Sequence, residues 1–534
     1  MKTLYKFKYI ILGAALMFGA TSCEEFLEEE NLSSVSDQTY LVNEDAFEEL
    51  VNGAYATLRS YSKSHDLDFY GVDIYSRKGK IEGDKPLNDY TNITSYLGAS
   101  ESNWKRSYTA ISKCNTVITR AEEIGELSES TKNLRLAEVK VIRALNYFYL
   151  VQQFGGVPLQ LEEVRGVVTD FTRNTEAEVY AQIIKDLDEA IPALPTSVSQ
   201  YGRVSKGAAQ HLLAKVYLTL GYTSSGTAAD FTTAAQLAET VISSGEYNLL
   251  NSFAEVFDID NQENDEIIWS AQFSTDNLFN GDGNDQYQLF KFSYESYPGM
   301  NRTSDYGRGN KPWQPTAFFF NLFVDGDSRE AVTLDRTIYA VEDADGILTG
   351  DTVVHFPKVA WTQEQKDAVS YIVYNDDEYR VNTDFGSSQY PMFKKFADPL
   401  APYGDNGGTR DANIFRLAET YLIAAEAQLQ AGNSGAALAH VNTIRNRAAD
   451  GVDLSLTSVT IDDILNERAL ELAGETSRWI DLKRTGTLSD RVLAHNPHVQ
   501  LHHTSAIDAH YLLRPIPENE ILLTNGTLEQ NPGY

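Results

Sequence analysis

Residues 415–445 read FRLAETYLIAAEAQLQAGNSGAALAHVNTIR. Apolar residues recur at helical spacing as far as Gly432-Asn433, where a turn signal ends the helix. The chain then returns through Ala436, Ala437 and Leu438, with Val441, Ile444 and Arg445 following. Small residues lie where the two helices must approach, so the stretch predicts a tight helical hairpin.

The same pattern recurs upstream. Helical periodicity is predicted over 44–62, 102–124, 131–154, 175–191, 205–222 and 230–244. Gly207-Ala208-Ala209 opens one helix, Gly221 ends it, and Ala234, Ala235, Leu237, Ala238, Val241 and Ile242 form the return. Small residues at helix crossings with an aromatic a few positions on resemble the tetratricopeptide pattern, although no strict repeat of about 34 residues recurs. The expected fold class is therefore all-α, built of tetratricopeptide-like helical hairpins carrying a loop-rich irregular layer. Residues 63–100 and about 250–410 supply that layer. They lose periodicity and gain Gly, Asp, Asn and Tyr, with short strand-like runs at Ile267–Ser270 and Tyr371–Tyr374. A structureless loop that long is unfavourable in a compact domain, so 250–410 is expected to pack on the helices and to hold the ligand site.

The N-terminus says where the protein lives. Lys2, Lys6 and Lys8 precede an apolar run from Tyr9 to about Ala20, then Ala20-Thr21-Ser22-Cys23. A basic start, a short apolar core and a small-residue cleavage site make an export signal. The run is too short for the ~20 residues that span a bilayer. Cys23 looks like the acylated cysteine of a bacterial lipoprotein, which would anchor the chain to a membrane without crossing it. The following Glu24-Glu25-Phe26-Leu27-Glu28-Glu29-Glu30 is either a surface-export signal or a solvated tether. The expected organisation is a signal peptide at 1–22, an acidic tether at 23–40, a helical region at 41–250, a loop-rich ligand-facing region at 251–410 and a helical region at 411–534.

Composition narrows the partners. The 534 residues carry 44 Lys+Arg against 76 Asp+Glu, a net charge of −32. Such a field repels phosphate backbones, which argues against nucleic acid. With Cys23 lipidated only Cys114 remains, leaving no internal disulfide or thiolate metal cluster; Cys114 reads as a small buried apolar residue.

Several ordered blocks resemble the SusD/RagB family. They are Arg416–Ala427 with Val441–Ala448; Ile464–Glu475; Arg478–Arg484; Leu513-Arg-Pro515-Ile-Pro517 through Gln530–Tyr534; Asp327-Ser-Arg329; and the Trp104, Tyr108, Ile111, Asn115 spacing. The resemblance implies an outer-membrane lipoprotein facing the cell exterior. Such a protein captures glycan or other polymeric nutrient and serves as a lid on a SusC-like TonB-dependent transporter, without cleaving what it binds. A structural or adhesive surface protein, or a peptide-binding subunit of the transporter complex, is the alternative. Read from the residues themselves, Glu467, Glu471 and Glu475 with Arg478, Lys483 and Arg484 suggest ion pairs between helices, each worth at most ~1 kcal/mol if exposed. Trp479 suggests a core anchor.

No Gly-x-Ser-x-Gly elbow or His-Glu-x-x-His motif occurs. No catalytic residue, metal ligand or cofactor is expected, and the histidines at 495, 498, 502, 503 and 510 read as a polar surface loop. The Asn280–Asp285 run lacks the glutamate that closes an EF-hand and reads as an acidic turn. A glycan offers apolar ring faces rimmed by hydroxyls, so its binder needs flat aromatic platforms with polar groups at the edges. Loops 65–97 and 287–313 carry that mixture. Within them Trp313 and Tyr297 are expected as platforms, with Tyr90 opposing and Asp73 or Arg77 at the rim.

Overall fold

A computed structural model describes residues 43–63, 65–78, 85–124, 127–304, 306–309, 311–378, 389–401 and 407–534. The expected signal peptide, Cys23 and the acidic tether lie outside them. The N-terminal block holds α1 (Glu44–Tyr55), α2 (Gly98–Arg120), α3 (Glu129–Phe154), α4 (Glu176–Ala190), α5 (Lys206–Leu220) and α6 (Ala228–Ile242). The C-terminal block holds α7 (Leu417–Gln430), α8 (Ser434–Ala448), α9 (Ile461–Glu471), α10 (Arg478–Arg484), α11 (Leu488–His495) and α12 (Glu518–Leu523).

Local chemistry sets the helix starts. Thr175 and Glu178 close a capping box on α4, and Thr460 with Asp463 closes one on α9. The alanine stripes serve close approach. Ala234, Ala235 and Ala238 on α6 meet Ala214 on α5 and Ala424 and Ala427 on α7 in one buried cluster. The hairpins of the two blocks are thereby fused, with α6 packing on both α5 and α7. Cys114 is fully buried on α2, and Trp479 is fully buried, as their sequence contexts imply.

The irregular layer contains short strands: β1 (Tyr75–Arg77), β2 (Ile267–Ala271), β3 (Trp313–Pro315), β4 (Leu334–Asp335), β5 (Thr337–Tyr339), β6 (Thr352–His355), β7 (Ile372–Val373), β8 (Met392–Phe393) and β9 (Ala412–Arg416). β1 pairs with β3, β2 with β9 and β4 with β8, while β5, β6 and β7 form a three-stranded sheet. The β2–β9 pair joins the point where the chain enters the layer to the point where it leaves. An aromatic core fills the layer; Tyr75 stacks on Phe290 at 4.3 Å, and Phe290 lies 4.5 Å from Phe393.

Buried charge locks the layer to the C-terminal block. Glu471, fully buried, is shared by three arginines. Arg416 Nη1 lies 2.7 Å from it, Arg329 Nη1 lies 3.1 Å away, and Arg447 completes the set. Arg329 also reaches Glu467 at 2.5 Å and Asp327 at 2.8 Å. Arg416 adds Glu266 at 2.9 Å and Glu475 at 2.6 Å. The run predicted to form ion pairs does so except at Lys483, which donates to the Gln152 carbonyl, and it does so in the interior, where a pair stripped of water is costly to break. Asp73 forms a second lock. Its carboxylate accepts from Arg478 Nη2 at 2.7 Å and Arg491 Nε at 2.7 Å, tying the β1 region to α10 and α11. Gly474 donates its N–H to the Tyr75 hydroxyl at 2.8 Å. Its φ of +77° and the Phe396 ring at 2.6 Å from a built Cβ exclude other residues there.

Two outcomes follow from these locks. Glu471→Ala removes the carboxylate shared by three buried guanidinium groups, each of which keeps another carboxylate, and lowers stability by about 3 kcal/mol in urea unfolding. Removing the exposed, water-screened Lys105–Glu101 pair leaves it nearly unchanged. Equal losses would contradict the assignment. For Asp73, burial alone would raise the carboxyl, but the charges and hydrogen bonds of Arg478 and Arg491 outweigh it and hold it at about 2. A depressed folded-state value means the contribution is complete above the unfolded value of about 4 and is lost as pH falls towards 2, amounting to about 2 kcal/mol. The unfolding midpoint of Asp73→Asn should therefore be lower at neutral pH and less sensitive to acid across that window than that of the parent.

Candidate glycan-binding surface

The two loops expected to form the site do meet: β1 pairs with β3, placing Arg77 opposite Trp313. They meet inside the protein. Trp313 is 3% exposed, its ring edge-on to Phe69 at 5.7 Å. Tyr90 is 1% exposed; its hydroxyl donates to the Gly71 carbonyl at 2.5 Å and accepts from the Trp479 indole at 3.2 Å. Arg77 is buried against Asp89 at 3.1 Å, and Asp73 is the buried lock described above. These four side chains therefore present no platform or rim at the surface, which corrects the expected arrangement. Aromatic area is removed from water wherever partners allow, and here the β1–β3 pair supplies them. Tyr297 differs. It is half-buried, with its hydroxyl 3.0 Å from that of Tyr374.

The histidine run is corrected in part: His502 stands exposed, but His498 does not. His498 is fully buried, 2.8 Å from the Ser76 hydroxyl, and burial pushes it down to about 3. His495 stacks on Phe318 at 3.7 Å.

Accessible aromatics cluster instead on the β5–β6–β7 sheet. Ile338 and Val354 face the core, so the alternation turns Thr337, Tyr339 and His355 outward. Tyr339 is 49% exposed, and its N–H donates to the Tyr306 hydroxyl at 3.0 Å. His355 Nδ1 lies 2.9 Å from Thr337 Oγ1. Burial and the neighbouring Arg336 charge lower its pKa. Around it stand Trp361 at 5.5 Å and Tyr371 at 6.4 Å between ring centroids, both half-buried. Asn375 clamps the Trp361 backbone through hydrogen bonds of 2.8 and 2.9 Å, so the platform is held in place.

Beside this face opens a cleft of about 470 Å³, lined among others by Asp335, Arg336, Thr337, Tyr339, Lys358 and Lys394. Arg336 Nε donates to Glu330 at 2.6 Å, Lys358 bridges Glu330 and Asp325, and Lys394 lies 3.2 Å from Asp335. The polar groups are thus oriented by one another next to flat, half-open rings. That combination can stack on a sugar face and hydrogen-bond its hydroxyl rim. Among the described residues no group of three or more His, Cys, Asp or Glu is placed to hold a metal ion.

The sequence reading passed over Tyr339, His355 and Trp361. The signal was present as period-two alternation at 337–339 and 371–374, but short runs among turn residues do not reveal which aromatics find a core partner.

Comparison with known proteins agrees with this architecture. Residues 265–534 match the model of the SusD family, and residues 25–218 match one described as "Starch-binding associating with outer membrane". A SusD-like protein, P25, of Formosa agariphila is 27% identical, with 99% of this chain and all of that one aligned. The starch-binding protein SusD of Bacteroides thetaiotaomicron is 27% identical over 74% of this chain and 72% of its own. A solved laminarin-binding SusD-like protein superposes with a TM-score of 0.72 at 25% identity, covering 92% of this chain and all of the other. Surface glycan-binding protein A of Bacteroides thetaiotaomicron, solved with laminarihexaose, has a TM-score of 0.71 at 21% identity, over 91% and 99% of the two chains, and shares the fold. No helix among the described residues is long and apolar enough to cross a membrane. By the match over its C-terminal half, and by relatives that align along its length, the chain belongs to the SusD/RagB family.

Proposed function

We propose that this chain is a surface glycan-binding lipoprotein. It is anchored to the outer membrane through Cys23, captures oligo- or polysaccharide outside the cell and passes it intact to a SusC-like TonB-dependent transporter. The observation that carries the reading is the set of half-open rings, Tyr339, Trp361 and Tyr371, standing beside a hydrogen-bonding cleft on a rigid helical support. Aromatic rings give large contact area with few rotors to freeze, and the clamped Trp361 backbone lowers the ordering cost further. Tyr297, joined to Tyr374, extends the contact surface. The starch- and laminarin-binding proteins among the relatives support glucans as the first ligands to test.

A binding role also suits the carboxylates at the cleft. Glu330 is engaged by Arg336 and Lys358, and Asp335 by Lys394. A glycosidase pair instead needs one carboxyl held as an acid across the scissile bond.

Affinity electrophoresis in gels containing laminarin or starch tests the proposal. The parent chain should be retarded by at least one polymer without releasing reducing ends. Tyr339→Ala combined with Trp361→Ala should weaken retention about tenfold, on the order of 1.4 kcal/mol for two half-open rings, with the thermal midpoint unchanged. Trp313→Ala should instead lower the midpoint through a core cavity. Retention that survives the double variant would remove the assignment, and release of reducing sugar would remove the non-catalytic role.

A further inference from the structure

A second concave surface lies apart from the sheet face and shares no residue with its cleft. It is a groove of about 590 Å³ between α2, the 158–171 strap and α12, within the roughly 300–1,000 Å³ range of ligand clefts. Trp104, Tyr108 and Ser112 follow one another at i, i+4 and i+8 on α2 and so share one stripe of it. The Trp104 and Tyr108 rings are 5.0 Å apart, and Phe154 backs Trp104 at 5.2 Å. The Tyr108 hydroxyl donates to the Pro158 carbonyl at 2.8 Å, which fixes the ring.

The opposite walls are equally built. Phe171 is half-buried, and Thr527 Oγ1 donates to its carbonyl at 2.9 Å, tying the strap to the segment after α12. α12 brings Glu520 into the groove. Burial raises the Glu520 carboxyl above its ordinary value, opposed by the Lys105 charge and a hydrogen bond from Trp104. Gln160, Thr109 and Lys113 complete a rim of donors and acceptors around the rings.

We propose that this groove is an auxiliary carbohydrate subsite that takes a neutral oligosaccharide of hexose units, with Tyr108 and Phe171 meeting ring faces and Glu520 accepting from hydroxyls. The lining lies on helices and coil, so no strand edge is offered to a peptide backbone. The net charge of −32 disfavours uronate or sulfated units, and of the two lysines in the lining Lys105 is paired with Glu101 at 2.6 Å. The inference rests on the carbohydrate reading of the chain, though not on the sheet-face site.

Calorimetric titration of the full mature chain with maltohexaose and, separately, laminarihexaose tests it. The parent should show two sites for at least one probe. Tyr339→Ala/Trp361→Ala should retain one site, and adding Phe171→Ala or Glu520→Gln to that background should weaken the remaining site at least tenfold at an unchanged thermal midpoint. A stoichiometry of one that vanishes in the double variant overturns the groove and leaves the sheet-face site standing. A residual site indifferent to Phe171 and Glu520 also overturns it. No binding of either hexaose by the parent overturns both assignments for glucans.

Discussion

Glu471 holds three arginines drawn from three parts of the chain, and the rest of the structure is arranged around that contact. Arg416 comes from the end of β9, Arg447 from α8 and Arg329 from the irregular layer. Burial alone would raise the Glu471 carboxyl, but the three guanidinium charges outweigh it and hold it well below the usual range. A carboxylate and several guanidinium groups without water are tolerable only when every partner is in place. The network therefore acts as a registry device. A layer with short strands and long turns has little regular hydrogen bonding to define its position, and the buried charges supply that definition.

The face proposed to bind glycan is mounted on this network. Arg329 opens the short helix Arg329–Thr333, which runs directly into β4 and then β5, the strand carrying Thr337 and Tyr339. β8 pairs with β4, and the next turn carries Lys395, whose ammonium reaches Glu475 at 2.6 Å. The cleft is thus anchored at two points to residues that also hold α9 in place. A binder that must stack on flexible sugars gains by keeping its own rings still, since ordering on contact is subtracted from affinity. The sheet also leaves Ile372 41% exposed on its outer strand, so aromatic and aliphatic surface continues past Tyr371.

Much of the scaffold was legible from local pattern. Helical spacing marked α2 through α8 to within a few residues, because amphipathic periodicity and capping residues act over one or two turns. The alanine stripes at 234–238 and 424–427 announced close helix contacts. They did not announce that these two stripes would meet each other across the two halves of the chain. The candidate site was less legible. Loops 65–97 and 287–313 were correctly expected to converge, yet convergence of two aromatic-rich loops creates a core, and Trp313, Tyr90, Asp73 and Arg77 went into it. A lone aromatic in a polar stretch carries no mark of whether a partner ring is waiting.

By itself, the sequence determined the helical hairpins and the family, since both are written in short contiguous blocks. Only the tertiary structure decided which aromatics stay open to solvent and which charges are buried. Exposure belongs to what packs opposite a side chain. For Trp313 that is Phe69, some 240 positions away; for Tyr339 the opposing space is an open cleft.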